Sequence, residues 1–219
     1  MTTSDASWSA RFRLIGELER PNHYYLTDQD ECLFWGEYTA RAGYNHSTTN
    51  SIITNLKKKP STRGTGQWQY KVAEIGRVAR VMKAAINPEA LPRLTFVPIP
   101  PSKLVGDAEY DDRMSQIARQ ISPGGTREII RAIAPRVARH SGDNKHDPEE
   151  LRVTLQIDEA LCAAAPTHVF LIDDVITTGC SFKVCKQMLT ERFPAIKVTG
   201  MFVARRALPP IANMFDELD

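Results

Sequence analysis

Apolar positions along this chain change their spacing several times, and each change marks an element. Val72, Ile75, Val78, Ala79, Met82 and Ile86 recur at the 3.6-residue period of a helix with one buried face. Asn87-Pro88 ends that helix, because the residue before a proline is driven out of the α region. Residues 94–97 read as a strand that runs into Pro98-Ile99-Pro100-Pro101. Tyr110, Met114, Ile117, Ala118 and Ile121 then fall on one helical face, which stops at Pro123-Gly124-Gly125. The pattern further predicts a strand over 128–134, a short helix around 153–163, an apolar strand over 169–172, a helix over 181–192 and a last strand over 197–204. Residues 135–150 crowd His, Ser, Gly, Asp, Asn, Lys and Pro together and read as a long loop, of the kind that often carries function.

The N-terminal stretch is patterned differently. Residues 24–27 and 31–35 are short β-prone runs around Asp28-Gln29-Asp30, which predicts a hairpin. Residues 57–67 are rich in Lys, Pro, Ser, Thr and Gly and read as a loop. We therefore expect a small N-terminal subregion over 1–60 and a core over 61–219. Strands alternating with helices in that core imply an α/β fold: an open, mostly parallel sheet flanked by helices, with right-handed crossovers. Ligands of such sheets lie beyond the carboxyl ends of the strands. There is no internal repeat and no low-complexity tract.

Composition narrows the field without choosing a function. The 219 residues, 42% apolar and 25% charged, suffice for one good core. No apolar run approaches the roughly eighteen residues that cross a bilayer, so no membrane association is expected. The start Met-Thr-Thr-Ser-Asp-Ala-Ser lacks the basic and apolar parts of a leader, which makes the cytoplasm the expected compartment. Cys32, Cys162, Cys180 and Cys185 have neither CxxC nor zinc-site spacing and read as reduced thiols. A net charge of +2 makes a nucleic-acid partner unlikely on its own. Lys57-Lys58-Lys59 with Arg63 form one local basic cluster, either a solvated loop or a surface that meets an anionic partner.

The chemistry concentrates in one segment. The apolar run Val169-Phe170-Leu171-Ile172 is followed at once by Asp173-Asp174, which places two carboxylates at the strand's carboxyl lip. Thr177-Thr178-Gly179-Cys180-Ser181 then offers hydroxyls, a glycine that permits close backbone approach, and N–H groups at the opening of a helix. Alone, the acids would suit a helix cap and Thr-Thr-Gly an ordinary turn. In this order they describe a site for a ribose phosphate, with the phosphate on the helix N-terminus and the sugar hydroxyls on the carboxylates. Arg205-Arg206 falls at the same edge of the sheet, where it contacts a ligand or is simply solvated. In the long loop, His140 and His146 fit no helical face and read as loop residues, while Arg136, Arg139, Lys145 and Arg152 in the same region could close over an anionic substrate.

Asp173-Asp174-Val175-Ile176-Thr177-Thr178-Gly179-Cys180-Ser181 resembles the 5-phosphoribosyl 1-pyrophosphate (PRPP) loop of type I phosphoribosyltransferases. The resemblance implies a type I phosphoribosyltransferase-like sheet with a small N-terminal hood. It also implies that Asp173 and Asp174 are the catalytic pair on the ribose hydroxyls, and that Thr177, Thr178, Gly179, Cys180 and Ser181 hold the 5-phosphate. Cys180 stands where that family usually has a small residue. Phe96-Val97-Pro98-Ile99-Pro100-Pro101-Ser102-Lys103 is similar to the strand and pyrophosphate loop of the ComF-like branch, which implies a pyrophosphate role for Ser102 and Lys103. Because prolines supply no N–H donors, a stiff turn carrying a surface lysine is the other reading. The branch's cysteine-rich zinc module is absent, and its arginine-rich run is reduced to Lys103 and Arg113.

The family further implies Mg²⁺ carried by the substrate pyrophosphate, and PRPP with a small nitrogenous acceptor, such as a nucleobase, as partners. A homodimer is compatible with it. A non-catalytic PRPP or nucleotide sensor is the alternative function. Tyr24, Tyr25, Phe34, Trp35 and Tyr38 would either stack on an acceptor ring or form the hood's own core.

Overall fold

The alternation of apolar strands with amphipathic helices produces a five-stranded sheet with helices on both faces. The structure, a computed structural model, describes residues 8–135 and 147–208. The chain runs β1 (Trp8–Leu14), β2 (Cys32–Thr39), α1 (Thr48–Leu56), α2 (Trp68–Ala84), β3 (Leu94–Pro98) and α3 (Arg113–Ile121). It continues through β4 (Ile130–Ala132), α4 (Pro148–Arg152), β5 (Leu155–Ile157), β6 (His168–Ile176), α5 (Cys180–Arg192) and β7 (Lys197–Ala207). Strand order is β1-β2-β7-β6-β3, with β1 antiparallel to β2 and every other pairing parallel. Strands β4 and β5 form a separate antiparallel pair.

Burial on both faces explains the unbroken apolar run of β6. Val169 and Leu171 join the core under α5, with Phe34, Phe182, Cys185 and Phe202. Phe170 and Ile172 point the other way, into the core of Trp35, Ile52, Ile75, Phe96 and Ile117 beneath α1, α2 and α3. No described helix is long and apolar enough to cross a membrane.

Several expectations are corrected. Residues 24–27 are not a strand: Asp30 Oδ2 accepts from Thr27 N at 2.8 Å and from Thr27 Oγ1 at 2.9 Å, curling 27–30 into a turn. β2 pairs instead with β1 and with β7, so the N-terminal subregion contributes two strands to the main sheet. The helix predicted over 153–163 is replaced by the end of α4, β5 and a 3-10 turn at Glu159–Leu161. There the N–H of Asp158 donates to Ile129 O at 2.7 Å and pairing with β4 overrides local propensity. The strand expected over 128–134 shortens to β4 and leaves the main sheet. Tyr110 precedes α3 rather than belonging to it. Residues 148–150, read as loop, belong to α4, while 136–146, with His140, His146, Arg136, Arg139 and Lys145, lie outside the described residues.

Candidate functional site

Strand β6 does not stop at Ile172. It stays paired with β7 to Ile176, which stands opposite Arg205, so Asp173 and Asp174 sit within the strand's end rather than after it. The two carboxylates have different surroundings. Asp174 is 4% exposed and turned toward α1 and α3. Arg113 grips its Oδ2 through Nε at 2.9 Å and through Nη2, while Lys57 Nζ stands 3.4 Å from its Oδ1. Burial alone would push the Asp174 carboxyl up, but Arg113 and Lys57 hold it below the usual carboxylate range.

The network extends further. Arg113 Nη1 donates to Asp111 Oδ2 at 2.6 Å, and that same oxygen accepts from Lys71 Nζ at 2.7 Å. Lys71, 1% exposed, also donates to Leu56 O at 2.6 Å and to Lys58 O at 2.9 Å. A continuous ladder of alternating charge thus runs from Lys57 through Asp174, Arg113 and Asp111 to Lys71.

Asp173 lies outside the ladder. Its Oδ1 accepts the N–H of Asp174 at 2.7 Å, and burial together with the adjacent Asp174 charge pushes its carboxyl well above the ordinary value. It borders a cavity of about 530 Å³, a size typical of small-molecule sites, walled by Ile99, Lys103, Tyr110, Arg113 and Ile130. One acid is therefore a carboxylate fixed by two cations, and the other is a half-buried carboxyl on the cavity wall with no cation bound to it among the described residues.

Strand β3 lies next to β6 with Pro98 opposite Ile172, so the two loops that leave these strands emerge side by side. Within Pro98-Ile99-Pro100-Pro101 the only N–H is that of Ile99, and it donates to Ile172 O at 2.9 Å. That turn offers no backbone donor to a ligand before Ser102. Ser102 is exposed, and Lys103 sits on the cavity wall 3.6 Å from Asp107.

On the other flank, Gly179 is the N-cap of α5 with φ of 87°, and a Cβ there would come within 2.9 Å of the Leu26 side chain. Glycine is required by both counts. Thr178 and Cys180 are buried, Ser181 is half-buried and Thr177 exposed. Cys180 N–H points to Thr178 Oγ1 at 3.4 Å, and the N–H groups of Ser181 and Phe182 precede the first i→i−4 bond, Lys183 N to Gly179 O, so they are the donors this end of α5 could offer an anion.

Lys57, Asp111 and Lys71 were not singled out as site residues from sequence; for Lys57 the signal was the basic run, here tied to Asp174 rather than left in solvent. His23, whose Nδ1 contacts Thr177 O, gave no sequence signal. Phe34 and Trp35 belong to the two cores and are closed to a ligand ring. Arg205 is held by Glu37 at 2.9 Å, and Glu37 also holds Arg13 at 3.3 Å. Among the described residues no three His, Cys, Asp or Glu side chains cluster as metal ligands. Neither a protein-family model nor a curated protein matches this chain.

Proposed function

We propose that this protein binds PRPP with Mg²⁺ and transfers its phosphoribosyl group to a small nitrogenous acceptor, in the manner of the type I phosphoribosyltransferases that its loop resembles. The observation that carries the reading is the position of Asp173. It opens on the cavity at the carboxyl end of β6, in the same segment that opens α5 with Gly179 and Ser181. A ribose there donates its hydroxyls to Asp173, and its 5-phosphate meets the N–H groups of α5.

Displacement at the anomeric carbon places positive charge on the ribose and negative charge on the leaving pyrophosphate. Asp173 supplies the carboxylate beside the ribose, while Lys103 and Arg113 line the cavity into which the pyrophosphate departs. A divalent cation suits this donor set, since hard cations take carboxylate and phosphate oxygens, and when bound it neutralises the pyrophosphate. A non-catalytic PRPP sensor is the second reading, and one observation favours it. With Asp174 engaged by Arg113 and Lys57, only Asp173 of the acidic pair lines the cavity.

The two acids provide the test. Asp173→Asn should weaken PRPP binding about tenfold or more by calorimetry, as expected for a lost charge-assisted hydrogen bond. The variant should fold at least as well as the parent at neutral pH. A carboxyl with a raised folded-state pKa loses stability as pH climbs from the ordinary carboxylate value to about 6, so the penalty is fully present at neutral pH, and the amide removes the like charge next to Asp174. Asp174→Asn should instead cost about 2–4 kcal/mol in chemical denaturation, because it strands Arg113 beside a neutral partner. Unchanged PRPP affinity in Asp173→Asn would remove the assignment. Pyrophosphate release across a panel of bases separates the transferase from the sensor.

A further inference from the structure

Resting on the phosphoribosyl reading, the geometry points to His23 as a positioning residue for the 5-phosphate: through the carbonyl of Thr177, it turns the N–H groups of the 177–181 loop toward the ligand. Three contacts dock the segment around His23 onto that loop. His23 Nδ1 donates to Thr177 O, Tyr25 N donates to Thr178 O at 3.0 Å, and the Leu26 side chain fills the space where Gly179 lacks a Cβ. The segment is itself braced, with Leu26 N donating to His23 O at 2.7 Å and the 3-10 turn Arg20–His23 leading into it.

Peptide geometry gives these contacts a consequence. In a planar trans peptide the C=O and the following N–H point in opposite directions. With the Thr177 and Thr178 carbonyls drawn back to His23 and Tyr25, the N–H groups of Thr178 and Gly179 face the other way. They then join the first-turn donors of α5 on one side of the loop. Without a donor at position 23, the Thr177 carbonyl is free to rotate, and the same loop presents a mixture of oxygens and N–H groups to an anion.

The chemistry of His23 fits a fixed donor. The residue is fully buried, and burial lowers its proton affinity; the Thr177 bond opposes this and Arg205 reinforces it, leaving a neutral ring at neutral pH. A carbonyl can only accept, so the ring proton is on Nδ1. Nε2 then has no hydrogen-bond partner among the described residues. Keeping a buried acceptor unpartnered is costly to the fold, and core packing alone would favour an apolar side chain at this position. What the histidine adds is the Nδ1–H aimed at the loop.

The test compares His23→Leu, His23→Asn and His23→Gln by calorimetry with ribose 5-phosphate, PRPP and inorganic pyrophosphate. Asn carries its amide N–H near the position of Nδ1, Gln nearer that of Nε2, and Leu has none. We expect His23→Leu to weaken ribose 5-phosphate and PRPP by the same factor, about tenfold as for loss of oriented donors, with pyrophosphate unaffected. His23→Asn should recover most of the affinity and His23→Gln less. Unchanged ribose 5-phosphate affinity in His23→Leu overturns the inference, as does an equal loss for pyrophosphate, the mark of a merely structural role. If His23→Leu does not fold, the other two variants decide, and equal affinities for Asn and Gln overturn it. Parent protein that binds neither ribose 5-phosphate nor PRPP removes the phosphoribosyl reading itself. Parent protein that binds both while the variants match it removes only the role of His23.

Discussion

Asp30 carries a large, readable electrostatic contribution for a single side chain. Its carboxylate is fully buried between Lys183 and Lys186 of α5, each 2.7 Å away, and it also accepts from the N–H and hydroxyl of Thr27. Burial would push it up, but the two lysines and Thr27 bring it down to about 2. Against an ordinary carboxylate this amounts to about 2 kcal/mol of stability. Because the folded-state pKa is depressed, that stability is complete above the ordinary carboxylate value and is lost as pH falls toward 2. Asp30→Asn should therefore be less stable than the parent by about 2 kcal/mol at pH 7, with the gap closing between about pH 4 and 2. A gap in urea denaturation that ignores pH would show that shape, not charge, is at stake. From sequence, Asp28-Gln29-Asp30 was legible only as a turn; the lysines that fix its geometry lie some 150 residues away. At the candidate site the same limit applies. Strand, acids, glycine and helix opening are contiguous and could be read directly, whereas the inequality of Asp173 and Asp174 comes from Arg113 and Lys57, which only the fold brings near.

Helix α2 gives the same lesson at the scale of an element. Its spacing was legible from Ile75 to Met82, and those positions are buried. At its first turn the apolar rule picks Val72, which is 54% exposed, whereas Lys71 is buried. A lysine is admitted there because Leu56 O, Lys58 O and Asp111 occupy its three donors. Lys71→Met, of similar volume, should cost about 2–4 kcal/mol in chemical denaturation, since it leaves two carbonyls and a carboxylate short of a donor. Val72→Lys at the exposed neighbour should move stability by no more than about 0.5 kcal/mol. A neutral Lys71→Met, or a costly Val72→Lys, would mean that the helix face has been misplaced. Elements whose apolar runs face a core, such as β3, β6, α5 and β7, were readable because local pattern and burial agree. The mistaken hairpin and the mistaken helix lie where Asp30 and Asp158 divert the backbone.

Across the whole molecule, β3 and β6 are parallel neighbours, so the Ser102-Lys103 loop and the Asp173–Ser181 segment leave the sheet at one edge, with the cavity between Asp173 and Lys103. That arrangement makes ligand binding and global stability one measurement. PRPP at about one hundred times its dissociation constant should add roughly 2.7 kcal/mol by mass action. For a domain of this size the melting temperature should rise by about 5–10 °C. Chelating Mg²⁺ should shrink the rise, because the pyrophosphate charge then stands near the Asp173 carboxyl without a cation between them. Ribose 5-phosphate should give a smaller rise, since it keeps the contacts at the opening of α5 and lacks those around Lys103. Lys103→Ala should remove that difference, bringing PRPP down toward ribose 5-phosphate without changing the latter. A melting curve unmoved by millimolar PRPP, in protein demonstrated to be folded and free of bound nucleotide, would sink the transferase and the sensor together. A clear rise with no pyrophosphate release across a broad acceptor panel would leave the sensor standing alone.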